Sequence, residues 1–507
     1  MISVSNRDYI KLYSWRFVSI LSGFLSMLVV VPHISRDQEL FGIYSFIMSL
    51  ALYLTYADFG FLTAGQKYAA EAYAEGNVNG EYRIIGFTLF LLTVMSIPFV
   101  IIMSYLSLNP TLIISDLSSN GREISSKLFL RIALFLPFQV LLQRMVQSVL
   151  SIRLKDYLFL RIDLISNVVK ILSVFWFFDT DYLLVEYVTF GILLTILSQV
   201  IILVSLKITQ GYEVIKVLRA IGFSREIYKQ MSKLAFSSLL MTVAWILYYE
   251  LDLIFIGRLL GASHVAIYAV SFTFLNFTRT LWNAFYAPFS HRFNHLVGQD
   301  LKSHSDSLLH NLIERTFPLT AIVIIVLVIS TECVIYAWVG SDYSDSITVL
   351  RILLLGSLTV SINKPVVYYL TAHINYKFLH VNAIVTPVVF FSSLFLLMPD
   401  KGLLGFAWSK TIAVFASCLV ASVFIKGVYS PLNLLKAWYR EVLAIVVSIY
   451  PMIYLFSIVK QNILEHGSFN LILVLSVVLI LILVMTSVLF LISVKFRKVI
   501  LDIVADR

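Results

Sequence analysis

Apolar runs of roughly 20 residues recur along the chain, and this pattern restricts the fold more than any other feature of the sequence. Such a run is the length an α-helix needs to cross about 30 Å of hydrocarbon. Fourteen runs can be marked. Six come first, at 12–31, 41–62, 84–106, 128–150, 162–178 and 183–206. Six more follow at 234–257, 265–289, 317–338, 347–370, 378–398 and 403–425, and a last pair lies at 442–459 and 471–494. Only 13% of residues are charged and 59% are hydrophobic, against about 25% and 45–50% in an ordinary soluble domain. A soluble globular enzyme and a disordered chain are thereby excluded. An outer-membrane barrel would show short alternating segments instead. The fold class expected is an all-α polytopic membrane protein.

Orientation follows from Lys and Arg, which collect in cytoplasmic loops. With the N-terminus inside, inside segments hold 24 of the 38 basic residues, outside segments 6, and the spans 8. That bias supports an even number of spans with both termini cytoplasmic. It also accounts for the net charge of +9 without a nucleic-acid partner. Cys333 and Cys418 fall in apolar runs and read as small core hydrophobes. The N-terminus lacks the short apolar core and small-residue cleavage site of a removed signal peptide.

The outside loop near 107–127 is the longest and is too short to fold alone. The large catalytic loop of a polysaccharide polymerase or ligase is thus missing, and so is a phosphate-binding GxxxxGK[ST] loop. Residues FGIYSF at 41–46 resemble VAIYAV at 265–270, and six spans lie on each side of a basic stretch. A tandem plan follows: an N-lobe at 1–206, a linker at 207–233, a C-lobe at 234–427, and an added pair of spans with a basic tail at 428–507. Two six-helix lobes facing a central cavity, with the added pair outside it, are expected. Within the linker, Val214, Ile215, Leu218 and Ile221 lie near helical spacing among Lys216 and Arg219, the pattern of a surface-lying amphipathic helix.

A charge within a span is costly and usually faces a cavity or a partner. Arg131 and Arg351 lie near span ends, where they can snorkel, and Lys170 and Lys410 are long enough to reach an interface. Arg16, Arg144, Arg279 and Lys364 are the candidate substrate-binding residues; Arg144 and Lys364 sit at matching depths in the fourth and tenth spans. The acids Asp58, Asp163, Glu250 and Asp252 are candidates either for structural pairing with an Arg or for ion coupling, and the sequence does not separate these roles. His291, His295, His304 and His310 lack the Cys or carboxylate spacing of a metal set, so no metal site is expected. Pro98, Pro137, Pro288, Pro365, Pro387 and Pro451 lie inside spans and predict kinks.

The stretch ELFGIYSFIMSLALYLTYADFGFLTAGQKYAAEAYAEGN from Glu39 resembles the second span and following loop of the oligosaccharide flippases of the multidrug/oligosaccharidyl-lipid/polysaccharide exporter superfamily. ELDLIFIGRLLGASHVAIYAVSF, from Glu250, resembles that family's seventh-span ending and eighth-span start, and Pro288 with Ser290 resembles the end of its eighth span. The resemblance implies a non-enzymatic flippase in the bacterial inner membrane. It would move undecaprenyl-diphosphate-linked oligosaccharide units for O-antigen (lipopolysaccharide) or capsule synthesis by alternating access. Its implied partners are the lipid-linked oligosaccharide, membrane lipids and the polysaccharide polymerase and assembly machinery. No cofactor is implied, and coupling to a proton or sodium gradient is left open. Arg suits the diphosphate because its planar fork bonds oxygens in pairs. A cation-coupled multidrug exporter of the same superfamily and a membrane polymerase or ligase are the competing readings. A basic lumen argues against the first and the missing loop against the second.

Overall fold

The computed structural model of the chain describes residues 6–153, 155–429, 438–439, 449–458, 461, 471–492 and 497. Most of the basic tail, the start of the thirteenth run and Lys436, Arg440 and Lys460 lie outside the described residues. The described chain is almost wholly helical, with no strand among the described residues. Nine helices among them are long and apolar enough to span a membrane, and the shorter apolar helices 449–458 and 471–487 are compatible with further crossings.

The first unit of structure runs over Met1–Ala266 and the second over Ile267–Arg507. Unit 1 contains α1 (Asn6–Ile34), α2 (Gln38–Tyr56), α3 (Phe61–Ala74), α4 (Val78–Leu108) and α5 (Ser119–Ile152). It continues with α6 (Asp156–Phe177), α7 (Leu184–Gln210), α8 (Val214–Arg219), α9 (Arg225–Trp245) and α10 (Asp252–Leu259). Polar caps mark where the chain re-enters a helix. Asp37, Asn77 and Ser118 accept the backbone N–H groups of Leu40, Gly80 and Gly121, each at 2.9 Å, satisfying donors that a helix start leaves open. Gly211, in the left-handed conformation, closes α7. The core of unit 1 gathers Phe87, Val146, Val149, Ile202, Leu206 and Met231. Lipid tails are as apolar as these side chains, so close packing rather than water exclusion holds such helices together.

Three breaks differ from the expected spans. The second run was expected as one span over 41–62, but α2 ends at Tyr56 and the chain turns through Ala57–Gly60 before α3. Phe59 and Gly60 both have positive φ, 50° and 80°, which no helix can contain. A Cβ at Gly60 would collide with the carbonyl of Ala235, so the turn also depends on a bare backbone against α9. The seventh run was expected as a continuous span over 234–257. It divides instead into α9, a π-helical turn Ile246–Glu250 and α10. The tenth run divides at a 3₁₀ turn, Ser357–Thr359. The helices continue past Pro98, Pro137, Pro288, Pro365 and Pro387.

The seventh span packs with unit 1: α9 lies on α3 and α10 on α2. The contact boundary therefore falls at Ala266, later than the basic linker. Gly42 of α2 permits this, because a Cβ there would strike the carbonyl of Ala262.

Unit 2 contains most of α11 (Ala262–Gly298), then α12 (Lys302–Val339), α13 (Asp345–Gly356), α14 (Val360–Ala372), α15 (Tyr376–Lys401) and α16 (Leu403–Phe424). Two C-terminal helices follow, α17 (449–458) and α18 (Leu471–Ile492). Helix α12 packs against α13, α14 and α18, and α15 against α16. The paired motifs stand in one register: Phe41 is three residues into α2, and Val265 is three residues into α11.

Candidate functional site

In unit 1 the break after α2 exposes backbone groups that a continuous helix would satisfy. The Thr55 carbonyl, in the last turn of α2, accepts a hydrogen bond from Arg144 Nη2 of α5 at 2.7 Å. Arg144 Nη1 donates to Gln147 Oε1 at 3.2 Å. Asp58 uses Oδ2 to accept the Leu62 backbone N–H at 2.9 Å, capping α3, and the charge of Arg144 acts on its carboxylate. Arg144 is therefore held by a helix end and a nearby acid, with the side chain half-buried.

The π turn of the seventh span places Glu250 beside this break. Its Oε1 accepts Trp245 Nε1 at 3.2 Å and the Tyr56 hydroxyl at 3.4 Å. The Glu250 carbonyl accepts Ser49 Oγ at 3.3 Å. Asp252 is 1% exposed, and the charges of Glu250 and Asp252 both act on the buried Tyr53 hydroxyl, which has no hydrogen-bond partner among the described residues. Asp58, Arg144, Glu250 and Asp252 thus gather around two helix breaks in one unit, with Tyr53, Tyr56 and Trp245 among them. Glu250, held by an aromatic hydroxyl and an indole, and the buried Asp252 make a polar, acidic island in an apolar bundle.

Arg16 and Asp163 stand apart from this island. Arg16 is exposed on α1 and acts on Asp156 at the start of α6, while Arg161 stacks on Trp15 at 5.3 Å. Asp163 shares α6 with Lys170, whose Nζ donates to Thr195 Oγ1 of α7 at 2.7 Å.

In unit 2, Arg279 of α11 is half-buried and donates from Nη1 to Asn276 Oδ1 at 2.9 Å. Lys364 of α14, also half-buried, feels the repulsion of Arg279 and has no hydrogen-bond or ion-pair partner among the described residues. Like charge nearby raises the cost of a cation in an apolar bundle, and an anion beside Lys364 would offset it. Two other intramembrane cations have structural neighbours. Arg351 pairs with Glu332 at 3.6 Å, and Lys410 is 2% exposed and lies over the Phe272 ring at 4.3 Å. His310 approaches Glu314 at 3.8 Å, and no group of three potential metal ligands gathers among the described residues.

Sequence reasoning missed a second ionic feature. Arg153, just past α5, forms two parallel bonds to Glu81 of α4, at 2.7 and 3.1 Å. Its guanidinium lies over Tyr73 at 4.6 Å and over Tyr212 at 4.7 Å. Burial alone would lower the Arg153 pKa, but the hydrogen bond and charge of Glu81 outweigh it and the net shift is upward. Glu81 lies in an acidic loop by sequence, and the 72-residue separation gives no local signal for the pair.

The chain is an all-α polytopic membrane protein whose spanning helices carry charged residues at their breaks. No protein-family model and no curated protein sequence matches the chain. Solved structures do match in fold. The chain is similar to the lipid II flippase MurJ in an inward closed conformation, at 16% identity, 94% coverage of this chain, 98% of that chain and a TM-score of 0.71. It is similar to an inward-facing multidrug resistance MATE family transporter of the MOP superfamily at 14% identity, covering 81% of this chain and 97% of that one, with a TM-score of 0.64. An outward-facing multidrug resistance MATE family transporter of that superfamily matches at 13% identity, 83% and 96% coverage and a TM-score of 0.55. Within this set, the flippase matches along more of this chain than the MATE transporters do.

Proposed function

We propose that the chain is a flippase that moves a polyprenyl-diphosphate-linked oligosaccharide, of the O-antigen or capsule type, across a bacterial inner membrane. The observation that carries this reading is the pair Arg279 and Lys364. An Arg or Lys at mid-span costs about 2.5–3.5 kcal/mol on insertion scales, and Lys364, repelled by Arg279 and without a partner among the described residues, is the group an anion would stabilise. A sugar diphosphate supplies one, and it is too polar to cross hydrocarbon unaided while its polyprenyl tail can stay in lipid. Arg279 provides planar paired donors and Lys364 a mobile point charge. Arg144 is the equivalent basic group of unit 1, and alternating access presents these groups to each side in turn. The 94% coverage against a lipid II flippase supports a lipid-linked substrate. The polymerase and assembly machinery of the same polysaccharide are the partners this function requires.

The acid and aromatic island around Glu250 and Asp252 favours a second reading, a cation-coupled exporter, to which the MATE likeness also belongs. The two readings separate by substrate. In a strain lacking the gene, the flippase reading expects lipid-linked oligosaccharide to accumulate on the cytoplasmic leaflet. Arg279→Gln and Lys364→Gln should reach wild-type protein levels yet leave surface polysaccharide unrestored. Normal polysaccharide with both Gln variants, or loss of drug resistance as the sole phenotype of the deletion, refutes it.

A further inference from the structure

Between α7 and α9 the chain carries an apolar face that the protein itself does not cover. In α8 one side docks inward: Val217 is fully buried, and Ala220 lies against Gly86 of α4 so closely that a Cβ on Gly86 would collide with its carbonyl. At 100° per residue, Ile215 and Leu218 point to the opposite side. They are 57% and 50% exposed. Phe223, just beyond, is 62% exposed, with its ring edge on Phe87, Phe90 and Tyr228. A protein–water interface would not leave three large apolar groups together on one short segment.

Charge specifies the occupant. Six basic residues lie between Lys207 and Lys233, against Glu213 and Glu226. Glu213 is taken by Lys216 at 2.8 Å and Glu226 by Arg83 at 3.5 Å. Among the described residues, Lys207, Arg219, Arg225, Lys229 and Lys233 are left without an acidic partner in the segments flanking the apolar face. We infer that the segment 214–223 is a binding surface for anionic phospholipid on the linker's side of the membrane. Ile215, Leu218 and Phe223 enter the boundary between headgroups and acyl chains, and the surrounding cations hold phosphate headgroups. Because the α8 segment is fixed to α4 by Val217 and Ala220, bound lipid anchors the end of the unit 1 core that carries the linker. This surface is separate from the intramembrane charges and stands whether or not those bind a lipid-linked sugar.

The test places an environment-sensitive dye at Leu218→Cys in the full chain carrying Cys333→Ala and Cys418→Ala. The protein is reconstituted into vesicles of phosphatidylcholine alone or with phosphatidylglycerol, each holding a lipid spin-labelled just below the headgroup. Quenching is expected with phosphatidylglycerol at low salt and should weaken at high salt. Arg219→Gln, Arg225→Gln and Lys229→Gln together should weaken it, by about fivefold for each charge removed. Native mass spectrometry of the unaltered chain gives a second readout that needs no cysteine change: the wild type should retain phosphatidylglycerol that the triple variant releases. Equal quenching in both vesicle types, or equal lipid retention by the wild type and the triple variant, overturns the proposal. So does a dye that stays in water in all vesicles and shifts only when a cytosolic protein is added.

Discussion

Replacing Arg153 by Ala should destabilise the first unit more than any other single charge removal there. Glu81 has a fully buried side chain and that of Arg153 is 10% exposed. Removing the Arg strands a carboxylate with no route to water, which costs about 3–5 kcal/mol in pairs of this kind. The stacking on Tyr73 and Tyr212 is lost as well, adding about 0.5–2 kcal/mol for each ring. Glu81→Gln is milder: the guanidinium keeps both rings and its opening to solvent, so a cost near 3 kcal/mol, the low end, is expected. The double variant Glu81→Leu/Arg153→Met buries no charge and should fall within about 2 kcal/mol of wild type. Denaturant titration of the purified protein in detergent, followed by tryptophan fluorescence, ranks the four proteins. The expected order is wild type, double variant, Glu81→Gln, Arg153→Ala. If both single variants unfold with the wild type, or if the double variant is as unstable as Arg153→Ala, the ion pair does not organise this unit.

Other expectations follow from the same geometry. Gly60→Ala puts a Cβ at φ 80° against the Ala235 carbonyl; it should cost at least about 1–2 kcal/mol and lower the level of folded protein measured by gel-filtration fluorescence. Arg144→Lys should keep part of the transport that Arg144→Gln loses, because charge survives while the paired fork does not; equal transport by the two would remove Arg144 from the substrate path. An impermeant maleimide should label Asn120→Cys in intact cells and spare Gln230→Cys, as the distribution of basic residues requires; the reverse pattern would invert the topology.

The fold class could be read from hydropathy alone, because a bilayer sets the length of every crossing. The FGIYSF and VAIYAV segments, alike in sequence, also begin three residues into their helices. The breaks could not. Asp58-Phe59-Gly60 sits among apolar residues, so a hydropathy window runs through it to Leu62. Only the paired positive φ values of Phe59 and Gly60 end the helix. The π turn at Ile246–Glu250 contains no Gly or Pro to announce it. The helices run on past Pro98, Pro137, Pro288, Pro365 and Pro387. Among the candidate residues, intramembrane charge was enough to single out Arg144, Asp58, Glu250 and Asp252. That they lie around two breaks in one unit depends on the packing of α10 against α2, which carries no local signal. The partner of Arg144 is a backbone carbonyl freed by the end of α2, and no pattern of side chains could have named it.

Reconstituted transport tests the central claim most directly. Purified protein is placed in vesicles with a fluorescent undecaprenyl-diphosphate oligosaccharide in both leaflets, and dithionite is added outside. If the chain is a flippase, protein-containing vesicles lose their protected inner-leaflet signal, whereas empty vesicles and vesicles with Arg279→Gln/Lys364→Gln retain it. Retention of that signal by the wild-type protein, together with proton-driven movement of a cationic dye, would contradict the account and establish the exporter reading.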